Sequence, residues 1–542
     1  MRTLIALIKQ SSILSVNKRA GLLIVRCSLF IISCSLSVDE TGLFSETNAQ
    51  VVNPKIWYIG YQSDDKRDTT TPDTAWSVRQ HGANILDFRT SPIGLSRHGY
   101  TLGLGACNTQ IHDRNDSLIL YSNGSKIFNG RHRLIEGGDS LSYGSDWQTS
   151  PFARNYYGEF YIRVYPNPMI IVPSASNSNQ YYVISVFISR DTPINYKLVY
   201  TLVDMSLNGG LGKVIEKEIT IKTGDFVPNV TACRHGNGRD WWIITREYSN
   251  KCFTVALLDS SGIKIVSENQ CMAWDLSDKA SGTGNTANRF SSDGKLFASF
   301  TNFGTELYDF DRCTGLLSNR REIILPKNDT FKTEGAGSFS PNDKFIYTGD
   351  IKYLYQIEVA NLKVRLVGTW DGYLDTPDNS NFGIATTFGA YSIAPDGKIY
   401  LSTNQTTRYL HTIEKPNDTG VKCNFKLRSV KLLTYNNGLP SLVNYELGAV
   451  SDKCGEGSKI QSSVGSKEWS VYPNPVSDYL NIEFLHKMDS KSEVLLFDML
   501  GRPRPLKLLE KQKNRLRFDV SSIPQGVYVL QVGNQKHKIR IE

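Results

Sequence analysis

The chain has 542 residues, of which 40% are hydrophobic and 11% aromatic, with 43 Gly, 27 Tyr and a formal charge of +8. It exceeds one typical domain, is long enough to bury a large core, and shows no long amphipathic helical stretch, so its composition points to β structure with many turns. The charge sits at the two ends: residues 1–36 carry five Lys/Arg and no acid, residues 469–542 carry twelve Lys/Arg against eight Asp/Glu, and the +8 total leaves residues 37–468 near −1. A near-neutral body has no electrostatic footprint for nucleic acid.

Residues 1–36 read as an export signal peptide. Arg2, Lys9, Lys18 and Arg19 precede an apolar run from Gly21 to Ile32, which ends in the small-residue patch SCSLS. Arg26 interrupts the run, which is too short and broken for a membrane span, so no transmembrane segment is expected in the mature chain.

Residues 37–450 repeat one unit: an apolar strand, a tight turn with Gly, Asn or Asp, and another apolar strand. SLILYSNGSKIFN, ACRHGNGRDWWIITRE and FTVALLDSSGIKIV are early copies. RFSSDGKLFASF, SFSPNDKFIYTGD and SIAPDGKIYLST are the clearest. Asp-Gly and Asn-Gly supply positive φ, so each unit is expected to be a hairpin with a two-residue turn. The last three turns, at Asp293, Asp343 and Asp396, lie 50 and 53 residues apart, the period of a four-stranded propeller blade. Over roughly 400 residues that period predicts an all-β fold with a propeller of about seven blades. FSSDG, FSPND and IAPDG resemble the turns of WD-repeat-like and YVTN-type propellers.

Candidate chemistry in the body is sparse. Asp309 and Asp311, two apart in LYDFDRCTG, are expected on one side of a strand, where they would bind Ca²⁺ through oxygen ligands, serve as acid and base, or hold the next turn. No other cofactor is indicated. Arg234, His235, Arg239 and Asp240 precede the aromatic strand WWIITREY, a combination suited to a sugar or an anion, unless Trp241 and Trp242 are blade core. No HExxH, GxSxG, phosphate-loop or sialidase Asp-box pattern is present, and no catalytic residue is assigned. Past the leader seven cysteines remain, without a CxxC pair; pairing of Cys423 with Cys454 would staple the end of the body.

Residues 451–468 are polar and Gly/Ser-rich and read as a flexible linker. Residues 469–542 alternate short apolar strands with Gly501, Gly526 and Gly533, a small Ig-like β-sandwich pattern. YPNP, LNI, LFDMLGR and DVSSIPQGVYVLQV, followed by a basic last strand, closely resemble the type A sorting domain of type IX secretion. That resemblance implies a sorting signal carried by Pro473, Asn474, Pro475, Leu480, Asn481, Gly501, Pro524, Gly526, Tyr528 and Lys538. It also implies recognition by the outer-membrane secretion machinery of a Gram-negative bacterium, export through the periplasm, and release or attachment at the cell surface. VYPNP recurs at Val164 to Pro168 without the later pieces, where a structural loop is expected. The body phrases LYSNGSKIFN, RHGNGRDWWIITRE and LYDFDRCTGLLSN resemble propeller regions of large secreted proteins with this same tail.

These readings describe exported cargo whose propeller binds a protein or glycan. The alternatives are a polysaccharide hydrolase or lyase and a structural component of the cell surface or gliding apparatus. Two or more carboxylates converging in the central channel would favour the enzyme, and an apolar and amide lining would disfavour it.

Overall fold

The computed structural model describes residues 51–61, 82–98, 104, 108–141, 169–189, 195–247, 252–271, 287–301, 304–326, 336–376, 383–436, 438–450, 454, 469–472, 476–484, 494–498, 502–512, 515–532 and 535–542. The export signal over 1–36, the inner VYPNP and all of the 451–468 linker except Cys454 lie outside the described residues. No α-helix occurs among the described residues, and no helix among them is long and apolar enough to cross a membrane.

Among the described residues the body forms seven blade sheets, all antiparallel, and one two-stranded hairpin: blade 1 within residues 56–98, blade 2 within 109–129, blade 3 within 169–224, blade 4 within 226–270, blade 5 within 287–323, blade 6 within 337–369 and blade 7 within 388–436. Blades 3 to 7 have four strands, here A to D in chain order, and blades 1 and 2 have three. From blade 2 to blade 7 the A strands of consecutive blades are neighbours, so A is the inner strand. Between blades 1 and 2 the contact runs through Gln110, which accepts from Tyr58 N at 3.0 Å and donates to Ile56 O at 2.5 Å.

Every adjacent pair of blades shares an apolar cluster. Blades 2, 3 and 4 share one, and separate clusters join 4 to 5, 5 to 6, 6 to 7, 7 to 1 and 1 to 2. The ring is therefore closed. A blade alone leaves both sheet faces wet, and stacking buries both. Trp241 and Trp242 show how: adjacent on a strand they point to opposite faces, so Trp241 packs towards blade 3 and Trp242 towards blade 5, both fully buried. Each such side chain contributes roughly 1.5–3 kcal/mol or more.

The repeated turns adopt the expected handedness, with positive φ at Gly294 (70°), Asp343 (58°) and Gly397 (77°). Their length differs from the expected two residues. Ser291 N to Leu296 O and Ser340 N to Phe345 O each enclose four residues, and Ala394 N to Lys398 O encloses three. The cause is the serine that opens the first two. Ser291 Oγ accepts from Leu296 N at 2.9 Å and donates to Asp293 at 2.8 Å, and Ser340, Phe345 and Asn342 repeat this at 3.0 and 2.8 Å. A side chain thus replaces the backbone bond that would close a shorter loop. A two-residue turn does occur at Ser260-Ser261.

The expected Cys423–Cys454 pair is not formed. Cys454 is bonded to Cys313 and Cys252 to Cys271, while Cys423 is a buried free thiol. Cys423 lies in the core between blades 6 and 7, whereas Cys454 is carried across the ring to blade 5. Cys454 therefore belongs to the propeller and not to the linker.

Residues 469–542 form a sandwich of two four-stranded antiparallel sheets. One orders Trp469–Tyr472, Tyr479–Phe484, Arg515–Asp519 and Lys507–Lys511; the other orders Pro503–Arg504, Val494–Asp498, Gly526–Val532 and Gln535–Ile541. Leu480, Ile482, Leu496, Phe518, Leu530 and Ile539 fill the space between them.

Candidate functional site

The residues between blade 7 and the linker, Gly438 to Val450, form a strap inside the ring. It starts where Asn436 Nδ2 donates to Gly438 O, and Leu439 packs between blades 7 and 1. Ser441 N donates to Asn108 O at 2.7 Å and Ser441 O accepts from Thr109 Oγ1 at 2.8 Å, at the start of the inner strand of blade 2. Val443 and Tyr445 enter the core of blades 2 to 4, and Tyr445 Oη donates to Ile171 O at 2.7 Å. Beyond this, Val450 N reaches Gly236 O at 2.9 Å, and Cys454 is bonded to Cys313. The strap thus runs from the start of the inner strands to the A–B turns at their other end.

Arg234 and Arg312 hold it. Arg234 lies over the Trp241 ring at 4.5 Å and donates to Tyr445 O at 3.0 Å, and Arg312 donates to Gly448 O at 2.6 Å and to Arg234 O at 2.8 Å. Burial and the neighbouring Arg312 push the Arg234 guanidinium down to about 10. Close approach of the strap also dictates a glycine. A Cβ on Gly236 would stand 2.4 Å from Cys454 Sγ and 2.7 Å from Cys313 Sγ.

The structure brings Arg234, His235, Arg239 and Asp240 together in the A–B turn of blade 4. His235 Nδ1 accepts from Asn237 N at 3.0 Å, so its Nε2 carries the hydrogen donated to Cys313 O at 3.2 Å. Burial pushes its pKa down, which favours this neutral form. Asp240, buried, receives Arg239 Nε at 2.8 Å and Asn237 Nδ2 at 2.6 Å. The ring of Trp242 packs tilted against His235 at 5.2 Å but is itself fully buried, so it offers no aromatic floor to solvent.

Asp309 and Asp311 stand apart from that turn, on strand C of blade 5. Asp309 pairs with Arg321 and accepts from Asn319 at 3.0 Å; Asp311 caps the next turn through Cys313 N at 2.8 Å and Thr314 Oγ1 at 2.9 Å. Their hydrogen-bond and ion-pair partners are different residues. Among the described residues no group of three or more His, Cys, Asp or Glu is placed to hold a metal ion.

None of the seven inner strands, which read IWYIGY, TQIH, MIIVP, FVPNVTACR, ANRF, GSF and FGAYSI, contains Asp or Glu. Their buried polar groups include amides and hydroxyls, as where Asn288 Nδ2 donates to Asn229 Oδ1 at 2.7 Å, and the fully buried imidazole of His112, whose Nδ1 lies 3.3 Å from the Asp116 carboxylate. The buried acidic partner of a charge pair lies further out: Glu306 of blade 5 accepts from Arg246 of blade 4 and from Arg320 at 3.0 Å.

In the C-terminal sandwich Leu480 is core, Asn481 Nδ2 donates to Tyr472 O at 3.2 Å, and Tyr528 Oη donates to Pro524 O at 2.6 Å. Gly526 pairs with Ile541 at the close of the last strand. That strand, Gln535–Ile541, is a sheet edge: Ile539 and Ile541 point into the core while Lys538 and Arg540 face solvent. Pro473, Asn474, Pro475 and Gly501 lie outside the described residues. Residues 470–541 match the family model of the secretion system C-terminal sorting domain.

The tail is a sorting domain. It marks the chain for export by type IX secretion to the cell surface or medium, handled by that system's machinery. No curated protein matches the chain. Similar solved structures include a candidate 6-phosphogluconolactonase of Bacteroides uniformis, at 11% identity over 71% of this chain and 98% of that one with a TM-score of 0.40. The β-propeller domain of Cps50 (Swd1) from Myceliophteria thermophila is 11% identical over 60% and 88%, with a TM-score of 0.34. Apo AztD from Citrobacter koseri is 12% identical over 66% and 82%, with a TM-score of 0.31. At such TM-scores none bears on activity.

Proposed function

We propose that the propeller of this sorting-domain cargo is a binding module for a glycan or protein outside the cell. The observation that carries this is the lining of the ring. Acid–base cleavage of a polysaccharide needs carboxylates facing each other at roughly 5–10 Å, and the inner strands supply none. Their inner side is instead packed with the chain's own strap, whose residues leave the ring at the A–B turns of blades 4 and 5. At the opposite mouth the connections from blade to blade emerge, and loops held there on a rigid frame suit contact with a ligand. The test is to present the full exported chain to arrays of polysaccharides and of surface proteins and, in parallel, to assay each polysaccharide for cleavage. Retention without turnover is expected; release of new sugar ends would overturn the reading in favour of an enzyme.

A further inference from the structure

The connection between blades 6 and 7 contains a small hairpin, in which Leu374–Asp375 pairs with Ile384–Ala385, at the mouth opposite the A–B turns. On it Tyr373 and Leu374 are exposed, 40% and 47%. Tyr373 meets Tyr409, from the start of strand C of blade 7, edge to face at 5.9 Å, with the two hydroxyls 3.5 Å apart. The guanidinium of Arg428 covers one face of the Tyr373 ring at 4.3 Å and forks onto Asp371 at 2.9 and 2.6 Å. With Arg428 over one face, two fifths of Tyr373 remain exposed to solvent.

The arrangement is fixed from below. Arg428 N donates to Nδ1 of buried His411, whose Nε2 then donates to Thr386 O, both at 3.0 Å, and Thr386 Oγ1 donates to Tyr373 O at 3.1 Å. Desolvation pushes the His411 pKa down to about 4, which keeps the ring neutral in this bonding pattern. A partly exposed aromatic ring anchored at the surface, rimmed by two phenol hydroxyls, a carboxylate and a guanidinium, suits a sugar ring, whose C–H groups pack on the tyrosine while its hydroxyls bond to the rim. The charges cancel locally, Asp371 against Arg428 and Asp375 against Arg408 at 2.8 Å. Lys431, the cross-strand neighbour of Tyr409, adds a single positive charge, far short of the basic cluster a polyanion would select.

We propose that Tyr373, Tyr409, Asp371 and Arg428 form a surface subsite for a neutral polysaccharide. The subsite rests on the binding-module reading and names its ligand class. It is tested by affinity electrophoresis of the full chain in gels containing a soluble β-glucan, a xylan, a galactomannan or, as the acidic comparison, polygalacturonate. At least one neutral polymer is expected to retard the protein, and Tyr373→Ala to weaken that retardation about tenfold with an unchanged melting transition. Asp371→Ala is expected to weaken it less. The subsite is overturned if no neutral polymer retards the chain, if only polygalacturonate does, or if Tyr373→Ala runs like the parent. It is also overturned if Tyr373→Ala alters only capture of a surface protein, a result that leaves the binding module standing with a different ligand. Cleavage of the polymer would instead remove the binding-module reading itself.

Discussion

The propeller and the sorting domain are both antiparallel β structures, yet they place their charges oppositely. In the propeller, Arg246 and Glu306 are wholly buried between two blades, and Arg234 and Arg312 grip a strap inside the ring. In the sorting domain, Arg502 and Lys507 pair with Asp498 and Asp519 at the surface, and Lys538 and Arg540 face solvent from the last strand. Charges of the first kind hold the body together. Those of the second kind sit at the surface and add little to stability.

The largest contrast in stability follows from Glu306. Glu306→Ala removes the carboxylate that faces the buried Arg246 and is expected to cost the propeller about 3–5 kcal/mol, read in urea unfolding. Arg502→Ala, at the surface of the sorting domain, should leave the unfolding midpoints in place. Equal losses for the two variants would erase the contrast.

A smaller effect is expected at the strap. Joint Cys313→Ser and Cys454→Ser substitution opens a link between residues 141 apart and should lower propeller stability by about 2–4 kcal/mol. Amide hydrogen exchange at Val450, whose N–H is bonded to Gly236 O, should quicken at the same time. Unchanged exchange there would mean that the disulfide does not hold the strap.

What was legible in the sequence follows the same division. The sorting domain is written in short spaced motifs, so its fold and its role could be read locally. The propeller could be counted because Asp293, Asp343 and Asp396 recur at blade spacing and their turns require positive φ. The strap left no such mark: GLPSLVNYELGAV has no period, and its partners, such as Asn108 for Ser441, lie hundreds of residues away. Arg234 stood out as a basic residue beside tryptophans, but Arg312, which shares its task, grips the strap through the backbone carbonyl of Gly448 and leaves no pattern. The cysteine pairing was misread for a related reason, since nearness in sequence placed Cys454 with Cys423 while the strap carries it to Cys313. Tyr373 and Tyr409 belong to no motif and meet only because a hairpin folds over strand C of blade 7.

The central claim is that the last 74 residues carry the address and the propeller is what they deliver. The direct measurement compares the location of the full chain with that of a chain lacking Trp469 to Glu542, by fractionating cells and medium. The account predicts that the full chain reaches the cell surface or medium and the shortened chain stays in the periplasm. Continued appearance of the shortened chain outside the cell would contradict it.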